Sequence, residues 1–227
     1  MLVALTREKF EQMVPLIATG PQYKQLWGKP PDLLRRALIS FGGIMGSLLL
    51  GAFGGSGLTL IGSLVMGTYL LWGPILWASL RNRDLRGYAY SGFWQGRVLD
   101  AFVTEELIGT EETVNKWGEL TIVENRERRI NLVLGDRTGF EVEVQAPLSR
   151  EHKAIARGQV AQLLVASNRE DLSRIAEVTE AHLPQLGLWV GKYPYLRRDL
   201  FLDVGRELGR RRPAKRTARR SDISRRR

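Results

Sequence analysis

The side chains able to do acid–base or metal chemistry are few and scattered. His152 and His182 are the two histidines, and there is no cysteine. Glu151 adjoins the first and Glu180 lies near the second. A zinc centre needs three or four ligands at short, defined spacings, and neither pair has them. Both histidines read as surface residues. Glu105-Glu106 and Glu111-Glu112 are carboxylate pairs in sequence only, because adjacent strand residues point to opposite faces and do not converge. They read as solvated charge. Gly54-Gly55-Ser56-Gly57 lacks the Lys and Ser/Thr of a phosphate-cradling loop, and there is no G-x-S-x-G nucleophile elbow. Without cysteine, disulfides, thiolate metal sites and a cysteine nucleophile are excluded. The expectation is a non-enzymatic protein with no cofactor, no metal site and no small-molecule substrate.

Two segments could recognise a partner. Leu188 to Arg198 reads LWVGKYPYLRR, three aromatics with Gly, Pro and three cations. Trp, Tyr and Arg dominate binding hot spots, so Trp189, Lys192, Tyr193, Tyr195, Arg197 and Arg198 form a candidate docking surface for a protein or for the lipid interface. The alternative is structural: Trp189 closes the domain and Tyr193 packs on the helix that follows. The second segment is the tail. Arg206 to Arg227 holds eleven basic and two acidic residues, against a nearly balanced remainder of 23 and 22. Arg210, Arg211, Arg212, Lys215, Arg216, Arg219 and Arg220 are its candidate contacts. Such a composition reads as disordered when free. Its partners would be anionic headgroups, with RNA as a second candidate; a purely solubilising tail is the third reading.

These segments need elements to hold them. Ala37 to Leu80 contains no charged residue. That length allows two crossings of about 20 residues each, expected at 34–53 and 58–80 with the glycine-rich break between them. Rows of small residues would pack the spans together: Gly43, Ser47, Gly51 and Gly55 in the first, Ser63 and Gly67 in the second. Lys29, Arg35 and Arg36 precede the run and Arg81, Arg83 and Arg86 follow it, so both ends are expected in the cytoplasm. Trp72, Trp77, Tyr88, Tyr90, Phe93 and Trp94 read as an interfacial aromatic belt. Ala37 to Leu80 contains no Asp, Glu, Lys, Arg or His, which counts against an ion-coupled carrier.

Residues 1–33 read as a cytoplasmic or interfacial segment, with Thr6 capping a short helix that aligns Phe10, Val14 and Ile17. Packing of that helix on the soluble domain is the alternative. From 93 to 205 the pattern shifts to period two: Ile130, Leu132 and Leu134, then Phe140, Val142 and Val144. Turns are expected at Asn125-Arg126-Glu127 and at Asp136-Arg137-Thr138-Gly139. Val160 to Ala166 reads as a buried strand, Asn168 to His182 as a helix ended by Pro184, and Leu186 to Val190 as a strand. The expected fold is thus an α+β membrane protein: a two-helix transmembrane hairpin, a small antiparallel β-rich, barrel-like domain on the cytoplasmic face, and a disordered tail over 206–227.

Val165-Ala166-Ser167-Asn168 through Asp171-Leu172-Ser173, with Leu188-Trp189-Val190-Gly191 and Tyr193-Pro194-Tyr195-Leu196-Arg197-Arg198, resembles an uncharacterised family of cyanobacterial and plastid two-span membrane proteins. The resemblance covers about Lys29 to Asp203. Members are sometimes labelled phosphate ABC transporter permeases; two uncharged spans are too few for an ordinary permease, and no coupling-loop motif is present. The layout is also similar to that of two-span photosystem I assembly factors. The resemblance implies a thylakoid or plasma-membrane setting and a role in assembling or maintaining a photosynthetic membrane complex. Rival expectations are an accessory subunit of a transporter and a membrane-tethered module that binds lipid or RNA.

Overall fold

The computed structural model describes residues 1–28, 30–114 and 120–210. In chain order these form β1 (Leu2–Leu5), α1 (Arg7–Met13), α2 (Gly20–Trp27), α3 (Pro30–Gly54), α4 (Ser56–Gly67), α5 (Tyr69–Arg86), β2 (Tyr90–Val114), β3 (Leu120–Gly135), β4 (Glu141–Pro147), β5 (Val160–Ser167), β6 (Ile175–Val178), β7 (Ala181–Leu183), β8 (Leu188–Val190) and α6 (Arg198–Arg210).

The strands make one antiparallel sheet in the order β4-β3-β2-β5-β7-β8. β1 pairs along residues 91–94 of β2, in line with β3, which pairs with β2 from Arg97 onward. β6 and β7 line the same edge of β5. Period two sends neighbours to opposite faces. Trp94 and Leu163 join Val98, Leu132, Leu134, Val144, Leu183 and Val190 in a core on one face. Phe93 and Leu164 face the other way, where Phe10 and Met13 from α1, Val14 just after it, Leu85 from α5 and Phe201 from α6 cover them. Residues of β4 and β8, the two ends of the sheet, share the first core, so the sheet curls on itself. Register shifts at Val98/Asp100 and Leu107/Gly109 add the local bending that bulges impose.

The expected two-helix transmembrane hairpin with a barrel-like domain is overturned on both parts. Only α3, over Asp32–Gly51, is by itself long and apolar enough to cross a membrane among the described residues. The other limb is two helices, α4 and α5, bent by 69°. The break is built at Thr68. Its hydroxyl donates to Leu64 O and Val65 O at 2.8 and 3.2 Å, and Trp72 Nε1 donates to Val65 O at 2.9 Å. The last carbonyls of α4 are thereby satisfied without a continuing helix. The eight-stranded sheet, for its part, has a six-strand path with ends at β4 and β8 that, among the described residues, does not close into a barrel.

α3 and α4 nevertheless pack antiparallel through small residues. A Cβ at Gly43 would collide with Met66, one at Gly51 with Thr59, and one at Gly62 would lie 2.7 Å from Ser47 Oγ. Gly67 faces Ile44. Gly55 is a turn residue with φ +88°, with open space around it, and Ser63 buries a hydroxyl that has no partner among the described residues.

Several local expectations also change. Asn125 to Glu127 is not a turn: β3 runs through it in register with β2, and just after it the ion pairs Arg129–Glu106 (2.7 Å) and Arg128–Glu105 (3.8 Å) cross the ladder. Asn168 to His182 is a turn followed by β6 and β7, not a helix. Phe93 and Trp94 are buried in the two cores rather than in an interfacial belt. Phe10 and Val14 are buried on the sheet while Ile17 is exposed. Arg206 to Arg210 are helical, and Leu208 packs on the second core.

Candidate functional site

Among the described residues, buried polar side chains converge at a junction. It lies where α2 and the end of α5 meet β6, β7 and the segment Gly191 to Leu196. Gln22 and Asn82 are fully buried there and exchange two amide hydrogen bonds of 2.9 and 3.0 Å. Gln22 Nε2 also donates to Tyr195 O at 3.3 Å. One polar pair thus ties α2, α5 and the 191–196 segment.

Glu180 organises that segment. It is 4% exposed, and its two oxygens accept the backbone N–H groups of Tyr195 and Leu196 at 2.9 and 3.0 Å. Burial pushes its carboxyl upward, against those two donors. A Cβ at Gly191 would sit 2.6 Å from Glu180 Cβ, so only glycine permits this approach. The Gly within the LWVGKYPYLRR run has this steric role.

Tyr193 and Tyr195 pack edge to face at 4.7 Å between centroids, and the Arg81 guanidinium lies 5.1 Å over the Tyr193 ring. The Tyr193 hydroxyl is buried with no partner among the described residues, and burial pushes its pKa up to about 12. Beside these rings opens a cavity of about 610 Å³, walled by Arg81, Glu106, Glu143, Glu177, Lys192 and both tyrosines, among others. A second cavity of about 600 Å³ continues between the start of β4 and β6, sharing Glu177 and Val178. Both lie along the seam where the curled sheet fails to close. Among the described residues, Glu141 to Pro147 pairs with β3 alone and Ile175 to Val178 with β5 alone.

Of the six candidates in the aromatic run, Lys192, Tyr193 and Tyr195 line this cavity. Trp189 belongs to a separate stack, 4.6 Å from His182 and 5.4 Å from Phe201, with Arg198 at 5.1 Å over its ring. Arg197 pairs with Asp199 at 3.2 Å and donates its backbone N–H to Met13 O at 2.8 Å. In the basic tail, Arg210 ends α6, while Arg211, Arg212, Lys215, Arg216, Arg219 and Arg220 lie outside the described residues.

The histidines are not surface residues. His152 Nδ1 accepts the Ser149 N–H at 3.1 Å in a capping box, and His182 is held in the stack on Trp189. Burial pushes both below the usual histidine range. No group of three His, Asp or Glu able to hold a metal ion occurs among the described residues. The flanking arginines are also partly engaged. Arg36 donates to Leu26 O at 2.8 Å and to Trp27 O, closing the end of α2. Arg86 donates to Glu11 O and Val14 O and pairs with the Glu11 carboxylate at 2.7 Å. Sequence reading missed Gln22, Asn82 and the structural use of Glu180; a polar residue in a short amphipathic helix carries no local mark of a partner sixty residues away.

No curated protein and no solved structure matches this chain. Residues 3–214 match a family of unknown function (DUF8619), and the chain belongs to that family.

Proposed function

We propose that this protein is a non-enzymatic scaffold or assembly factor anchored in a membrane by its helical unit, with the sheet unit presenting a partner-binding surface on the cytoplasmic side. The observation that carries the reading is the exposure of the helical unit. Leu34, Leu38, Phe41, Leu48, Leu49, Leu50, Leu58, Leu60, Ile61 and Leu64 are each more than half exposed. Of the span-length window in α3, 11% is buried inside the protein. A core helix of a water-soluble domain buries its apolar stripe; here the stripe faces outward, as lipid contact requires. Arg35, Arg81 and Arg83 stand at the sheet side of this unit, which supports a cytoplasmic sheet unit by the positive-inside rule.

The sheet unit offers two surfaces suited to a partner. One is the seam cavity. The other is the arm of β2 and β3 beyond Leu107 and Arg126, where among the described residues no third strand pairs with either and Ile108, Leu120 and Ile122 are exposed. A lone two-stranded ribbon is marginal in water, so a partner laid along it would stabilise it. A photosynthetic membrane complex as the client rests on the sequence resemblance alone.

The test is gentle detergent extraction with chemical cross-linking and identification of neighbouring chains. Recovery with a larger membrane complex supports the scaffold role. Release of the chain by alkaline carbonate, or recovery only as a small free species, would sink it.

A further inference from the structure

We infer that α5 is a lipid-binding helix: its exposed side lies against the sheet-side leaflet, with Arg83 on the phosphate of an anionic phospholipid. The inference rests on the membrane-anchor reading and adds to it the lipid chemistry and the residue that meets it. α5 has two unlike sides. Gly73, Pro74, Ala78, Asn82 and Leu85 are buried; Asn82 is held by Gln22, and Leu85 belongs to the second core. Leu71, Ile75, Leu76 and Trp77 are 41–56% exposed, and Arg83 is exposed beyond them. Leu76 and Arg83 are two helical turns apart, so they share a side and stand about 10 Å apart along the axis.

Geometry, continuity and charge select an anionic lipid as the occupant. The 69° bend at Thr68 slants α5, so that it advances along the axis of α4 by only about a third of its length. Tyr69 to Leu80 carries no charge, and charge begins at Arg81. A slanted helix of this kind offers its apolar side to acyl chains and its charged end to headgroups. The exposed face is also continuous with that of α4, where Leu58, Leu60, Ile61 and Leu64 are 60–68% exposed, so lipid that covers α4 runs on to α5. The cations of α5 then divide. Arg81 lies over the Tyr193 ring and lines the seam cavity, and Arg86 is held by Glu11. Arg83 has no ion pair and no side-chain hydrogen bond among the described residues. Its guanidinium offers a planar fork of donors that matches a phosphate, and its stem can lie along the apolar side of the helix. Arg35 of α3, exposed and likewise without an ion pair, stands at the same end of the helical unit and adds to the attraction.

The experiment uses the full chain, which has no cysteine of its own. A benzophenone is attached through Leu76→Cys and, in a separate variant, through Met45→Cys on α3, a side chain 45% exposed and about 15 Å along the helix from Arg35. Each is reconstituted in mixed bilayers of phosphatidylcholine and phosphatidylglycerol and irradiated. The expected adducts at position 76 are phospholipids enriched in phosphatidylglycerol. Arg83→Gln should lower that enrichment about fivefold, the scale of one basic residue near an anionic surface, and leave the unfolding midpoint in place. The adducts at position 45 should be phospholipids in the proportion of the bilayer, unchanged by Arg83→Gln. Adducts at position 76 with another protein or with a second copy overturn the proposal. So do lipid adducts without enrichment, or an enrichment indifferent to Arg83→Gln. If position 45 gives lipid adducts and position 76 none, this proposal alone falls; if neither does, the membrane-anchor reading falls with it.

Discussion

Phe93, Trp94, Leu132, Leu134, Leu163 and Leu164 in the sheet are fully buried or nearly so, whereas Leu48, Leu49, Leu50, Leu60 and Leu64 in α3 and α4 are mostly exposed. The two regions carry the same kinds of side chain and dispose of them differently. The sheet closes its faces with its own curl and with α1, α5 and α6. The helical pair closes only a narrow line of small residues. Apolar area removed from water by the chain itself holds the first region together. In the second, close backbone contact is the internal bond and the surroundings must supply the rest.

The largest expected contrast comes from truncating one side chain in each region. Trp94→Ala should cost about 3–5 kcal/mol, since the ring is buried and its Nε1 donates to Asp136 at 3.2 Å. Leu50→Ala should cost less than about 1 kcal/mol. Denaturant titration in one detergent measures both, and equal costs would break the comparison. Next, Gly51→Leu should destabilise the α3–α4 contact by about 1–3 kcal/mol through overpacking against Thr59. Gly46→Leu, with open space around it, should not; equal responses would mean that Gly51 does not form the helix contact.

The junction between the regions gives an intermediate effect. Gln22→Ala leaves the buried Asn82 amide unpaired and should cost about 1–3 kcal/mol. Replacing both by Leu should recover most of that loss, and a double-mutant cycle isolates the coupling. A smaller, pH-dependent effect is expected at Glu180. Its carboxyl is raised above the ordinary 4.5, so the folded state holds the proton more tightly than the unfolded chain does. The stability from this source is complete below pH 4.5 and is lost as pH rises through the raised value. The melting-temperature gap between wild type and Glu180→Gln should therefore shrink with rising pH across that window. His182 works in the opposite sense. Its value lies below the ordinary 6.5, so its contribution is present above 6.5 and is lost as pH falls. His182→Phe keeps a ring against Trp189 and should flatten the acid side of the stability profile.

Local signals served where the element was short-range. Asp136 to Gly139 turns as its residues require: Asp136 Oδ1 accepts the Thr138 N–H at 2.8 Å and Gly139 takes φ +88°. Val160 to Ala166 lies within β5. They failed where a distant strand decided the outcome. Asn168 to His182 reads as a helix, but Ser167 Oγ accepts the Arg169 N–H and donates to Arg174 O, and Ile175 to Val178 pairs with β5 instead. Asn125 to Glu127 reads as a turn because its residues are polar; instead it pairs with Glu106 to Gly109 of β2, next to the cross-strand ion pairs of Arg128 and Arg129. The tertiary setting overrode propensity in both cases.

The sequence by itself determined where apolar residues run without charge, which small residues recur on one helix face, and where the charge of the tail is concentrated. These are properties of spacing along the chain, set by the periods of helix and strand. Tertiary structure decided the rest. The second apolar limb breaks at Thr68, the sheet leaves a seam between β4 and β6, and Glu180 is drawn into Gly191 and the N–H groups of Tyr195 and Leu196. Glu180 meets N–H groups 15 and 16 positions along the chain, outside the repeat of any single helix or strand. Such contacts form only when burial elsewhere brings the segments together, so no local pattern announces them.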